Sequence, residues 1–298
     1  MITLHLNRHE PDDARRERVF GGDFYLYTDL AASQALCRHA RDMVAEAFDG
    51  LDPERAQFEL SVEEFIRRVG PLKSAFTNGS TTKELCQRFI AELGCDMERT
   101  YFDLPRLRVV PSDNFLTSGV SYAYKAHRDT WYAHPRQLLN FWIPVFPVVG
   151  QNTMSMFVGY FDKPVDNASE VFDYDDWVAN SRFAAAKQVK AENRPHPVPR
   201  QAIDTHSEIR IAGGMGDAML FSTCHLHATA PNTSGVTRFS TDLRTVNLDD
   251  ILSGKGPANV DSRATGTTLG DFLRASDLAP LDVTALPETV RRRPRVAA

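Results

Sequence analysis

Two hydrophobic periods divide the chain. Across residues 29–50 the apolar positions Leu36, Ala40, Met43, Val44 and Ala47 recur every three or four residues, the stripe of an amphipathic helix. Asp29 can cap its start and Gly50 can end it. Ser61 followed by Glu64 has the form of a capping box for a second helix, which runs through Val69 and stops at Gly70-Pro71. Thr81 with Glu84 repeats the signal before Leu85, Phe89, Ile90 and Leu93, with Gly94 as the stop. The first hundred residues therefore read mainly as helix, packed as a scaffold outside a sheet.

From about residue 100 the pattern turns to strands. Residues 104–110 and 119–124 read as two of them, 137–149 as an aliphatic and aromatic run closed by Pro144 and Pro147, and 153–161 as another. Residues 162–207 form an insert, with a loop through Pro164, a helix predicted over 173–190 and a Pro-rich stretch at 193–200. An excursion this long is either a lid over a site or a helix covering the outside of a barrel. Strands follow at 208–212, 217–222, 225–230 and 236–247. Many short strands with Gly and Asn turns predict a mainly β fold with flanking helices, built round a double-sheet jelly roll. The expected organisation is a single domain, 1–298, in which 1–99 is helical support, 100–247 the core and 248–298 an extension. That extension carries a short helical candidate at 268–275 and an arginine run, Arg291-Arg292-Arg293-Pro294-Arg295, read as a solvated tail.

Composition narrows the function classes. A chain of 298 residues with net charge -5 and a pI near 6.0 has no general attraction to nucleic acid or anionic membranes. It contains no apolar run near the ~18 residues of a membrane span, and its N-terminus lacks a signal peptide, so a cytoplasmic location is expected. Cys37, Cys86, Cys95 and Cys224 show no Cys-X-X-Cys spacing and read as thiols.

The candidate chemistry sits just before the 137–149 run. In His127-Arg128-Asp129 the imidazole and the carboxylate are two apart, so on an extended chain both reach one metal ion while Arg128 faces elsewhere. The pair needs a third ligand, a His far along the chain on a facing strand. His225 and His227 both qualify, and periodicity does not separate them. Two His and one carboxylate on one face of an octahedral metal leave open positions, as in non-haem Fe(II) oxygenases. On the last strand, an inward Arg238 would send Ser240, Asp242 and Arg244 inward as well, and Phe239, Thr241 and Leu243 outward. Asp242 and Arg244 then either meet a ligand or pair with each other.

Over residues 100–247 these motifs resemble the Fe(II)/2-oxoglutarate-dependent oxygenases, most closely their phytanoyl-CoA dioxygenase-like branch. His127-Arg128-Asp129 matches that family's His-X-Asp. His227-Ala228-Thr229-Ala230-Pro231-Asn232 resembles its distal His-X-Ser-X-X-Asn with Thr229 in place of Ser, and Arg238 follows His227 by eleven residues. The resemblance implies a double-stranded β-helix of cupin-like form, with Fe(II) on His127, Asp129 and His227. It leaves His225 as a core or supporting residue. It also implies 2-oxoglutarate as co-substrate, its distal carboxylate held by Arg238 and Thr229, and O2 as oxidant, with succinate and CO2 released as a C–H bond is hydroxylated. Related halogenases have Gly or Ala where Asp129 stands, so chlorination is not expected. Tyr124, Trp131, Asn140, Trp142, Asp242 and Arg244 are candidate substrate contacts. The implied substrate is a small polar molecule: an amino acid, a nucleotide or a natural-product intermediate. Desaturation, cyclisation or epimerisation at the same iron, and a non-catalytic cupin-like metal binder, are the alternatives. No nucleic-acid or membrane partner is expected, and the oligomeric state is left open.

Overall fold

The computed structural model describes residues 1–291; Arg292, Arg293 and Arg295 of the basic run lie outside the described residues. Among the described residues, eleven strands fall into two sheets. The larger contains β1 (Leu4–Leu6), β2 (Phe24–Tyr27), β3 (Thr100–Phe102), β4 (Arg106–Val110), β5 (Leu139–Pro144), β8 (Ala218–Ser222), β10 (Arg238–Asn247) and β11 (Leu273–Arg274). The smaller contains β6 (Met154–Phe157), β7 (Glu208–Arg210) and β9 (His227–Thr229). β10 is the axis of the large sheet. One of its edges pairs with β5, and the other is long enough to take β4 opposite residues 238–242 and β3 opposite 245–247.

Alternation sorts each central strand into two faces. Leu107, Val109, Phe141, Ile143, Leu220, Phe239 and Leu243 point outward into the main core. There they meet the helices α2 (Ala31–Phe48), α3 (Val62–Asn78) and α4 (Ser80–Glu92), which follow the short α1 (Asp12–Phe20). Phe89 lies edge-on to Phe141 at 5.1 Å, and Phe48 to Phe239 at 5.9 Å. Each such buried ring stabilises the helical layer by about 2 kcal/mol. The inner face carries Trp142, Met219 and Phe221, which pack with Met154 and Met156 of β6 and join the two sheets.

Several expectations are corrected. The first hundred residues also hold two strands: β2 pairs antiparallel with β8, and β1 runs parallel to β2. The capping box at Ser61 and Glu64 forms, but α3 passes through Gly70 and Pro71 to Asn78. Pro71 removes one helical hydrogen bond, and burial of Phe65, Val69, Leu72 and Phe76 along one face keeps the helix going. α2 is not capped by Asp29, because the Glu92 carboxylate accepts from the N–H groups of Ala31 and Ala32. Likewise α4 starts at Ser80 without a capping box at Thr81. Residues 119–121 are a 3-10 turn and not a strand. The helix expected over 173–190 is a short α5 (Tyr174–Asn180) followed by a 3-10 turn, Arg182–Lys187. The 268–275 segment is a 3-10 turn and then β11. No helix among the described residues is long and apolar enough to cross a membrane.

Candidate metal centre

His127 and His227 are brought together by backbone pairing. Each donates its N–H to the other's carbonyl, at 2.8 and 2.9 Å, in an isolated antiparallel bridge. The second His, on β9 and a hundred residues along the chain, is thus the immediate backbone neighbour of the first. Arg128 is extended (φ -106°, ψ 146°), which turns His127 and Asp129 to one side. Asp129 then opens a 3-10 turn and is held by its own N–H on the Thr223 carbonyl, at 3.1 Å. Asp129 Oδ1 lies 3.9 Å from Nε2 of both His127 and His227, and one ligand atom from each residue falls within 4.8 Å of the others.

Both imidazoles are set to present Nε2. His127 Nδ1 lies 2.8 Å from the Lys125 carbonyl and His227 Nδ1 3.0 Å from the His225 carbonyl. A carbonyl only accepts, so Nδ1 carries the proton and the Nε2 lone pair is left for a metal. Burial, with His227 beside it, holds His127 down at about 3, so it stays neutral and able to ligate. Burial alone would raise the Asp129 carboxyl, but His227 and Arg244 outweigh it and keep the group below the usual carboxylate range. Asn140 Nδ2 donates to Asp129 Oδ2 at 2.9 Å, leaving Oδ1 turned toward the histidines. Asn140→Ala is expected to weaken metal binding by about 10- to 100-fold, the usual cost of losing an outer partner of a ligand. A metal titration showing unchanged affinity would dismiss that supporting role.

His225 belongs to the core. Residues 223–226 form a turn, so strand alternation does not apply to it. Its Nε2 lies 3.0 Å from the Gly22 carbonyl, and its ring sits 4.2 Å from Phe24 and 4.6 Å from Phe161. Burial holds His225 at about 3, and burial followed by Arg244 holds His134 at about 4. The folded chain keeps both neutral, whereas the unfolded chain protonates them from about pH 6.5 downward. Their contribution is therefore complete above about pH 6.5 and declines toward pH 4, by up to about 1.4 kcal/mol per pH unit for each. Melts of the metal-free protein should show Tm falling below pH 6.5; a flat profile would mean that these rings are not held neutral.

The triad opens into a cavity of about 620 Å³, of the size that small-molecule sites have. Arg238, Thr229, Tyr124, Asn140, Trp142, Asp242 and Arg244 all line it. Arg238 is buried; its Nη1 donates to the carbonyls of Asn152 and Thr153, both at 3.1 Å, and Trp142 lies 5.6 Å from the guanidinium. Its Nε has no partner and it forms no ion pair among the described residues. Burial brings it down to about 10, with Asp242 opposing. Asp242 and Arg244 face each other at 3.7 Å but have closer partners, Arg108 at 2.5 Å and Asp103 at 2.9 Å.

Trp131 is a correction: it does not reach the cavity. It is fully buried beside Phe157, Val165 and Leu226, and its indole N–H donates to Asp261 at 2.8 Å. Arg128 and Arg136, close to the triad in sequence, are structural. Arg128 is buried on Asp261 at 3.0 Å, and Arg136 donates to the carbonyls of Gly254 and Pro257. Sequence reasoning missed Arg106 and Arg108, which line the cavity. The same alternation that turned Arg238 inward applies to them, with Leu107 and Val109 outward. Lys73, Arg182 and Arg194 also line it, from a helix and a loop that offer no strand register.

No family model matches the chain, and no curated protein matches it. Solved structures do. EvdO2 from Micromonospora carbonacea var. aurantiaca, complexed with 2-oxoglutarate, is 14% identical over 60% of this chain and 64% of its own, with a TM-score of 0.38. In that complex the match thus spans less than two thirds of the EvdO2 chain. The non-heme monooxygenase ThoJ in its apo form is 12% identical over 72% of this chain and 70% of its own, at 0.40. EctD from S. alaskensis with bound Fe is 13% identical over 83% and 80%, at 0.40. Likenesses this distant leave the chemistry to be read from the triad and its surroundings.

Proposed function

We propose that this chain is a non-haem Fe(II)/2-oxoglutarate-dependent oxygenase with a jelly-roll core, acting on a small molecule in the cavity. The observation that carries the reading is a buried His-Asp-His cluster sharing one cavity with a buried arginine that has no carboxylate partner among the described residues. The donor set fits: two imidazole Nε2 atoms and one carboxylate oxygen suit ferrous iron. Two sheets that pack through Trp142, Met219 and Phe221 on one side and Met154 and Met156 on the other support the jelly-roll reading.

His127, Asp129 and His227 would hold the iron. When bound with 2-oxoglutarate and O2, iron supplies oxidation of a C–H bond with release of succinate and CO2. The remaining work falls to the chain's own groups. Arg238 would present a planar fork to the distal carboxylate of 2-oxoglutarate, and the Thr229 hydroxyl, which lines the same cavity, would be a second donor to it. A protein that only bound metal would have no use for that buried fork. Asn140 orients Asp129, and the aromatic wall of Tyr124, Tyr132 and Phe172 keeps water from the reacting bond.

Residues 162–207 act in this reading as the roof. Phe172, Trp177, Arg182 and Arg194 line the cavity from that segment. Its far end is latched where the Ser118 hydroxyl donates to the carbonyls of Gln188 and Val189, at 3.0 and 2.9 Å. Gly119, at φ +58°, lies so close under Ala185 and Gln188 that no Cβ fits there.

The direct test is anaerobic addition of Fe(II) and then 2-oxoglutarate. A weak visible charge-transfer band is expected. Iron demonstrably bound with no such band would overturn the co-substrate assignment.

A further inference from the structure

Taking the Fe(II)/2-oxoglutarate reading as given, charges cancel at the metal end of the cavity. A divalent cation and Arg238 carry three positive charges, and Asp129 with the two carboxylates of 2-oxoglutarate carries three negative ones. The rest of the cavity does not balance. Lys73, Arg106, Arg108, Arg182, Arg194 and Arg244 line it, against the carboxylates of Asp103, Asp242 and Asp271. Arg108 lies 2.5 Å from Asp242, Arg244 2.9 Å from Asp103 and Arg182 2.8 Å from Asp271, while Glu192 just outside holds Arg194 at 2.7 Å. Those four pairs use every carboxylate.

Two cations are left over. Arg106 reaches only carboxylates that have closer partners, 3.6 Å from Asp103 and 3.8 Å from Asp271. The Lys73 ammonium donates to the Val120 carbonyl and forms no ion pair among the described residues. Burial, then the guanidiniums of Arg108, Arg194 and Arg106, bring Lys73 down to about 7, as befits a cation whose counter-charge is missing. From this wall an aromatic path leads to the triad: Tyr122 and Tyr124 lie 4.7 Å apart, and Tyr124 lies 5.2 Å from the His127 ring.

We propose that Lys73 and Arg106 form an anion subsite, and that the substrate is a dianion, a phosphomonoester or a dicarboxylate, whose organic body lies along Tyr122 and Tyr124. Two positive charges in excess of the carboxylates in a partly closed cavity select for that charge, because a neutral ligand would cover both cations without supplying the counter-charge they lack.

The test is isothermal titration of protein loaded with Mn(II) and 2-oxoglutarate, using phenyl phosphate and phenylmalonate as probes and benzyl alcohol as the neutral control. At least one dianion is expected to bind and benzyl alcohol is not. Lys73→Met and Arg106→Met should each weaken that binding by about tenfold or more, the usual weight of one charge-assisted hydrogen bond, and Lys73→Arg should keep most of it. Whichever dianion binds more tightly separates a phosphate from a dicarboxylate substrate. Loaded protein that binds neither dianion, or binds them equally well in both Met variants, overturns the subsite. Wild-type protein that takes up no 2-oxoglutarate at the loading step sinks the oxygenase reading, and the subsite with it.

Discussion

Asp129→Ala is expected to lose metal binding and with it all iron-dependent turnover of 2-oxoglutarate. The carboxylate is the only anionic member of the cluster, 3.9 Å from both Nε2 atoms and held in place by Asn140. Two imidazoles alone bind ferrous iron weakly, so the loss should exceed the roughly 100-fold that removal of an outer partner costs. His227→Ala should behave in the same way. His225→Ala provides the contrast, since its buried ring bonds Gly22 and packs between Phe24 and Phe161. It is expected to keep metal binding and to lose about 2 to 4 kcal/mol of stability, as buried large-to-small replacements do. Metal titration alongside thermal melts separates these effects. Binding that survives in His227→Ala and vanishes in His225→Ala would reverse the ligand assignment.

Arg238→Met is expected to weaken 2-oxoglutarate binding by at least about 100-fold while leaving metal affinity intact, because two charge-assisted hydrogen bonds to one carboxylate are lost together. Stability should respond differently. In the ligand-free chain Arg238 is a buried cation brought down to about 10 by its burial, with only the carbonyls of Asn152 and Thr153 as partners. Its replacement by an apolar chain of similar length should therefore change the Tm of the ligand-free protein little. In the wild type, 2-oxoglutarate should raise Tm by linkage, and in the variant it should not. Arg238→Lys should recover only part of the affinity, since an ammonium cannot make the paired contact. An unchanged 2-oxoglutarate affinity in Arg238→Met would remove this arginine from the co-substrate site.

Elements whose faces differ in polarity were legible from the chain alone. The Ser61 and Glu64 box forms, the stripe of α2 is buried, and the alternation along β10 places Arg238, Asp242 and Arg244 on the cavity side with Phe239 and Leu243 in the core. Elements that depend on distant partners were not. β1 and β2 exist because β8 offers an edge, and α3 outlasts Pro71 because its apolar face is covered. Trp131 shows the limit for the site: an aromatic residue two positions after Asp129 could face cavity or core, and its indole went to Asp261, far along the chain.

What the sequence determined by itself is what local geometry determines. A spacing of two turned His127 and Asp129 the same way, and period-two polarity marked the inner face of the last strand. Tertiary structure decided the rest. The backbone bridge chose His227 over His225, since pairing His127 with residue 227 puts residue 225 in a turn that faces Gly22. Long-range packing also brought Lys73, Arg106, Arg182 and Arg194 to one cavity from a helix, a strand and the insert. Charge balance in a cavity is a property of which segments meet, and no local pattern records that.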